Sequence, residues 1–246
     1  MTGALLVAAL LLGSGRQSPG VADTGKVIYA SRKDSLRALA VAQLAARDGR
    51  LRILVSLSER RLRLMRGADT LLDAPVAIPK GTVFRSGSRR WAFLTPPGLR
   101  VVHAKTVDPV WKPPLWHYYE IGEQESLKVV TLRAGHPVRL KDGSLVQVRG
   151  ARVGIVTDGR YLPVPLDREI VYDSTLFVPP EGTLNRRVAG ELGNFSLDIG
   201  DGYLIHGSRD EALVGAAVTH GCFRMRNADL EWLFGNTPLR TVVYVF

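Results

Sequence analysis

The apolar residues change their period at Leu51, and that change limits the possible folds more than any other feature of the chain. Upstream, residues 31–49 (SRKDSLRALAVAQLAARDG) carry Leu36, Leu39, Ala40 and Leu44 at helical spacing. Ser31 or Asp34 stands ready to cap this helix and Gly49 to end it. Downstream, LRILVSLSERRLRLMRGADTLLDAPVAI alternates through Ile53, Val55 and Leu57, then Leu62 and Leu64. It turns at Gly67-Ala68-Asp69 and continues from Leu71 to Ile78. A period of two over such stretches describes strands with one buried face, joined here as a hairpin.

The same punctuation recurs to the C-terminus. TPPG (95–98) leads into an apolar alternation, and Asp142-Gly143 and Asp158-Gly159 are hairpin turns between short strands. Phe195, Leu197 and Ile199 alternate, Gly200-Asp201-Gly202 turns, and Tyr203-Leu204-Ile205 runs into His206. NADLEWLF (227–234) reads as a short helix that Asn227 caps, and the wholly apolar TVVYVF (241–246) as a central final strand. The Pro-rich DPVWKPPLW (108–116) reads as an extended loop carrying Trp111 and Trp116. The predicted fold is mainly β with a few helices, in a chain of 246 residues long enough to bury a sizeable core.

The apolar run from Ala4 to Leu12 falls well short of the roughly 20 residues that span a bilayer. It fits the core of a secretory signal, with cleavage expected after Ala22, although no Lys or Arg precedes it. Residues 1–22 are therefore read as a signal peptide, 23–50 as a helical extension and 51–246 as the main domain, with no integral membrane span. No cysteine follows the run at a lipid-attachment position. The net charge of +10 favours anionic surroundings such as acidic envelope polymers. The basic residues, among them Arg60, Arg61, Arg63, Arg66, Arg89, Arg90, Arg186 and Arg187, are scattered and form no nucleic-acid docking motif, so no nucleic-acid partner is expected.

One cysteine serves the whole chain, Cys222 in VTHGCFRMRN (218–227), so an intrachain disulfide is impossible. A lone Cys is a small core residue, a metal ligand or a nucleophile. A nucleophile needs a base within hydrogen-bond reach, and His206, 16 positions upstream, meets it only if the fold returns the chain. Arg224 and nearby helix-start amides are expected to lower the thiol pKa. Gly221 permits close backbone approach, and the amides of Gly221 and Cys222 are candidates for an oxyanion hole. A zinc site built from His206, His220 and Cys222 is the rival, but it lacks the usual short ligand spacing. A non-catalytic binder of wall polymer is a second rival. His103, His117 and His136 have no motif support and are read as structural.

IHGS followed by THGCFRMRN resembles the signature of the L,D-transpeptidase catalytic domain family (YkuD-type). The resemblance rests on His206, Thr219, His220, Gly221, Cys222, Arg224 and Asn227. The opening hairpin, the TPPG turn and the last strand extend it over residues 51–246. It implies a β-sandwich with helical decoration that acts on peptidoglycan stem peptides, in the periplasm or cell wall, without a metal or organic cofactor. Cys222 would be the nucleophile and His206 the base, its ring oriented by the Gly207 carbonyl. His220, Arg224 and Thr219 would shape the pocket beside Gly221, and Asn227 would brace the loop. The acyl group would pass to a stem-peptide amine, a protein or a D-amino acid, or to water in a carboxypeptidase or other hydrolase. Residues from about 120 to 178 depart from the pattern and read as a strand-rich insertion able to cover the groove.

Overall fold

The computed structural model describes residues 29–166 and 168–246. The apolar run and the expected cleavage point after Ala22 lie outside the described residues. Two sheets face each other. The larger has five strands in the order Asp69–Pro75, Arg61–Arg66, Arg52–Ser56, Val242–Val245 and Gly98–Val101. The final strand is thus interior, parallel to Arg52–Ser56 and antiparallel to Gly98–Val101. The smaller sheet orders Phe223–Arg224, Leu204–His206, Phe195–Asp198 and Ala104–Val107.

The alternating residues fill the space between the sheets. Ile53, Val55, Leu62, Leu64, Val243 and Val245 of the larger sheet pack with Leu197, Ile205 and Phe223 of the smaller one. Burying side chains of this size stabilises by roughly 1.5–3 kcal/mol each before entropy is counted. Helix α3 (Asn227–Asn236) closes one end through Leu230 and Leu233. Its N-cap is Arg226, not Asn227 as expected, because the Asn227 side chain is occupied elsewhere.

Helix α1 (Arg32–Arg47) starts at Ser31, whose hydroxyl accepts from the Asp34 amide. Its packing corrects the sequence reading. Ala38, Val41 and Ala45 are buried, the last two against Tyr244 and the last strand, whereas Leu36, Leu39 and Leu44 point outward at 58%, 63% and 52% exposure. Small residues at this spacing let the helix lie close to the sheet, which the leucines would prevent. Arg52 secures the contact from the sheet side, donating to the Ala45 and Gly67 carbonyls.

The segment read as a loop at 108–116 also differs. Pro114 is the N-cap of α2 (Leu115–Gln124), so Trp116 lies on a helix. Proline suits this position because the missing N–H is one that no helix could use. Beyond α2 the chain forms a three-stranded sheet of Lys128–Thr131, Thr175–Val178 and Ile170–Tyr172. A four-stranded sheet of Val138–Arg139, Leu145–Arg149, Arg152–Thr157 and Arg160–Pro163 stands beside it. Asp158 and Gly159 both have positive φ, as the two-residue hairpin turn demands. These sheets bury their own core of Leu132, Leu140, Val146, Val153, Val164, Ile170 and Phe177.

Arg186, read as one of the scattered surface cations, is 3% exposed and joins α2 to this lobe. Its Nε donates to the Pro113 carbonyl at 2.6 Å, its Nη1 to the Pro179 carbonyl at 2.7 Å, and its guanidinium lies over the Tyr118 ring. An Arg186→Met substitution fills the space but strands two buried carbonyls. It is expected to cost about 2 kcal/mol or more in urea unfolding, and a change within experimental error would show that this tether is not needed.

Candidate functional site

Strand pairing assembles the site. Leu204–His206 runs parallel to Phe223–Arg224, with Ile205 opposite Phe223 and His206 opposite Arg224. Ile205 and Phe223 point into the core. Side chains alternate along strands, so His206 and Arg224 share the opposite face, and Cys222 lies in the bend immediately before Phe223. The pairing therefore brings the backbone of His206 beside that of Arg224, two residues after Cys222.

His206 is buried at 4% exposure, and its Nδ1 meets the Gly207 carbonyl oxygen at 2.7 Å. A carbonyl only accepts, so Nδ1 carries the hydrogen and Nε2 keeps the lone pair. Burial lowers the pKa of this ring to about 4, with the nearby Arg224 charge pushing the same way and the Gly207 contact opposing them. The ring is neutral at neutral pH, with the Nε2 lone pair able to accept a proton.

Cys222 corrects the expectation of a low thiol pKa. Burial, the largest influence, raises it above its ordinary value, while a Leu204 backbone hydrogen bond and Arg224 pull it down less strongly. The helix-start amides expected to help are those of α3, which begins at Asn227, beyond the intervening strand Phe223–Arg224. At neutral pH the Cys222 thiol and the His206 imidazole are thus both uncharged.

The loop carrying the thiol is held from several sides. The Thr219 hydroxyl donates to the Cys222 carbonyl at 2.6 Å and receives a long contact from the Gly221 amide at 3.4 Å. The Thr95 hydroxyl, in the TPPG turn, donates to the Gly221 carbonyl. Gly221 has φ +152°, and a Cβ there would stand 3.1 Å from the Tyr203 ring. Its amide leans on Thr219, so the Cys222 amide is the freer of the two expected oxyanion donors.

Asn227 ties the two halves together. Its Nδ2 donates to the Ser208 carbonyl and to Glu211, and its Oδ1 accepts from the Ser208 amide. A Cβ on Gly207 would lie 2.1 Å from that oxygen, so only glycine fits there. The Arg224 backbone pairs with Ala77, and its Nε is buried without a hydrogen-bond partner among the described residues.

His220 turns away from the thiol's strand to a cluster that sequence reasoning missed. Its Nε2 lies 2.7 Å from Glu120 and its ring stacks on Trp116 with centroids 3.9 Å apart. Lys80 completes the group at 2.9 Å from Glu120. Trp116 and Glu120 are one turn apart on α2, so reading Pro113-Pro114 as a helix start would have placed them on one face. Among the described residues no group of three His, Cys, Asp or Glu side chains is placed to hold a metal ion, and no helix is long and apolar enough to cross a membrane. His206 Nδ1 and His220 Nε2 are both engaged with oxygen acceptors, which leaves each ring a single free nitrogen for any ligand.

Residues 50–245 match the L,D-transpeptidase catalytic domain family, YkuD, and the chain belongs to that family. Two Escherichia coli K12 proteins share shorter stretches with it. The probable L,D-transpeptidase YbiS is 42% identical over 52 residues, 21% of this chain and 17% of that protein. The probable L,D-transpeptidase ErfK/SrfK is 39% identical over 54 residues, 22% and 17% respectively. The matches thus span about a sixth of those relatives' length. Among solved structures, the L,D-transpeptidase from Xylanimonas cellulosilytica aligns with a TM-score of 0.42 at 14% identity, covering 81% of this chain and 62% of that one. The Mycobacterium smegmatis L,D-transpeptidase gives 0.40 at 13%, covering 80% and 58%.

The buried His206 has a consequence for stability. The unfolded chain takes up a proton as pH falls through about 6.5, whereas the folded ring resists until about 4. Stability therefore falls on acidification between these values, by on the order of 3 kcal/mol from this group. Urea unfolding of wild type at pH 7.5 and 4.5 is expected to show a steeper loss than His206→Gln. Equal losses in the two proteins would mean that His206 titrates normally.

Proposed function

We propose that this chain is a cysteine L,D-transpeptidase that acts on peptidoglycan stem peptides. The family assignment supports the reaction class, and one observation supports the residue roles: the strand register that sets His206 opposite Arg224, two residues after Cys222. In this reading Cys222 Sγ attacks the carbonyl that joins an L-residue to a D-residue while His206 Nε2 takes the thiol proton. The C–N bond breaks, and the leaving amine receives that proton from the imidazolium. This gives a thioester on Cys222 and a neutral His206.

An acceptor amine then attacks the thioester and gives its proton to His206. The C–S bond breaks, an amide forms, and the proton returns to sulfur. The tetrahedral oxyanion forms beside the Cys222 amide, and Arg224 helps to shape the pocket. Thr219, His220, Gly207, Gly221 and Asn227 hold the loop and wall the pocket. No step in this cycle calls for a metal or organic cofactor. The work belongs outside the cytoplasm, in the periplasm or cell wall, and the +10 charge suits retention by anionic envelope polymers.

Incubation with a disaccharide-tetrapeptide, followed by mass spectrometry, tests the reading. Wild type is expected to form the cross-linked dimer and Cys222→Ala none. Release of a terminal D-residue without dimer would assign water as the acceptor, and undiminished product from Cys222→Ala would remove the thiol from the mechanism. A carbapenem supplies a second measure. It is expected to add to Cys222, and to do so about 10²-fold to 10⁴-fold more slowly in His206→Ala, the usual range for loss of a general base. Labelling at other residues, or equal rates, would contradict the His206–Cys222 partnership.

A further inference from the structure

His220, two residues before the thiol, is enclosed by groups that no motif announces. Its ring stacks on Trp116 at 3.9 Å and 12°, and Phe93 meets it edge-on at 4.5 Å. Nε2 has two charged neighbours, Glu120 Oε2 at 2.7 Å and Lys80 Nζ at 3.1 Å. Both cannot be hydrogen-bonded to it at once. An ammonium needs a lone pair on Nε2 and a carboxylate needs a hydrogen there. Glu120 prevails, because its contact is shorter and charge-assisted, and because Lys80 has its own acceptor in Glu120 Oε1 at 2.9 Å. Lys80 is fixed in turn by its amide, which donates to the Thr219 carbonyl next to His220.

We propose that Glu120, delivered by α2, is a positioning residue of the thiol site: it accepts from His220 Nε2–H and thereby leaves Nδ1 as that ring's only nitrogen open to a bound peptide. The proposal rests on the transpeptidase reading for its effect on turnover, but its geometry stands apart from it. It makes α2, a segment outside the Ser/Thr-His-Gly-Cys motif, part of the machinery that sets the loop holding Cys222. Trp116 fixes the plane of the ring and Glu120 fixes its rotation about that plane.

The charged groups facing His220 are Lys80 from the loop after Ile78–Pro79, and Glu120 and His117 from α2. Burial is the main influence lowering the His220 pKa. Lys80 and His117 act in the same direction, and Glu120 opposes them. The two partners therefore have opposite signatures when removed. Nitrogen-correlated NMR of the ring, in resting full-length protein, reads both tautomer and titration without any substrate. Wild type is expected to show Nε2–H. Glu120→Gln is expected to admit the Nδ1–H form and move the titration to lower pH, Lys80→Met to move it to higher pH, and Glu120→Asp to recover most of the wild-type signal.

In the dimer-forming assay Glu120→Gln is expected to lower kcat by about 10-fold to 100-fold, the scale of a small misplacement near reacting atoms, with KM little changed. An unaltered tautomer and titration in Glu120→Gln would overturn the proposal, whatever the protein's activity. So would an altered ring with unaltered kcat. Failure of the transpeptidase reading would appear separately, as absence of product from wild type with the NMR pattern intact.

Discussion

The parallel pairing of Leu204–His206 with Phe223–Arg224 is the constraint on which the site depends. It is only two residue pairs long, yet it sorts side chains by face. Ile205 and Phe223 enter the sandwich core, and that burial locks the register, because a slip by one residue would exchange core and site positions. His206 and Arg224 follow on the other face, with Cys222 in the bend that leads into Phe223. The stability of the core and the geometry of the chemistry are thus one specification.

Around that pairing, two histidines are held in opposite tautomers. The Gly207 carbonyl keeps the hydrogen of His206 on Nδ1, and Glu120 keeps that of His220 on Nε2. Each is fixed by an acceptor from outside its own ring face, one local and one 100 residues away. Asn227 holds the turn after His206, and Thr219 and Thr95 hold the loop before Cys222. The thiol is framed by hydrogen bonds to backbone atoms, which persist whatever the charge state of the reacting pair.

Much of this was legible in the sequence where the signal was local. Alternation located Arg52–Ser56 and Arg61–Arg66, a wholly apolar run located the interior last strand, and Asp158-Gly159 marked its turn through the positive φ values it accommodates. The motif singled out His206 and Cys222, but the pairing of His206 with Arg224 needed a register that no local pattern contains. Other features depended on partners distant in sequence. Leu36, Leu39 and Leu44 looked like the packing face of α1, but the available gap accepts only Ala38, Val41 and Ala45. Arg186 looked like a surface charge until the Pro113 and Pro179 carbonyls were brought to it. The thiol was expected to be acidic because Arg224 is near, and burial outweighed that charge.

Cys222 and His206, proposed to react together, both rest uncharged, so the proposed mechanism couples proton transfer to attack. The pH dependence of Cys222 alkylation by iodoacetamide tests it most directly, since only the thiolate reacts. The account predicts a rate that climbs through neutrality and is still rising at pH 9, with no plateau below. A plateau reached near pH 6 or 7 would reveal a preformed thiolate–imidazolium pair and contradict it.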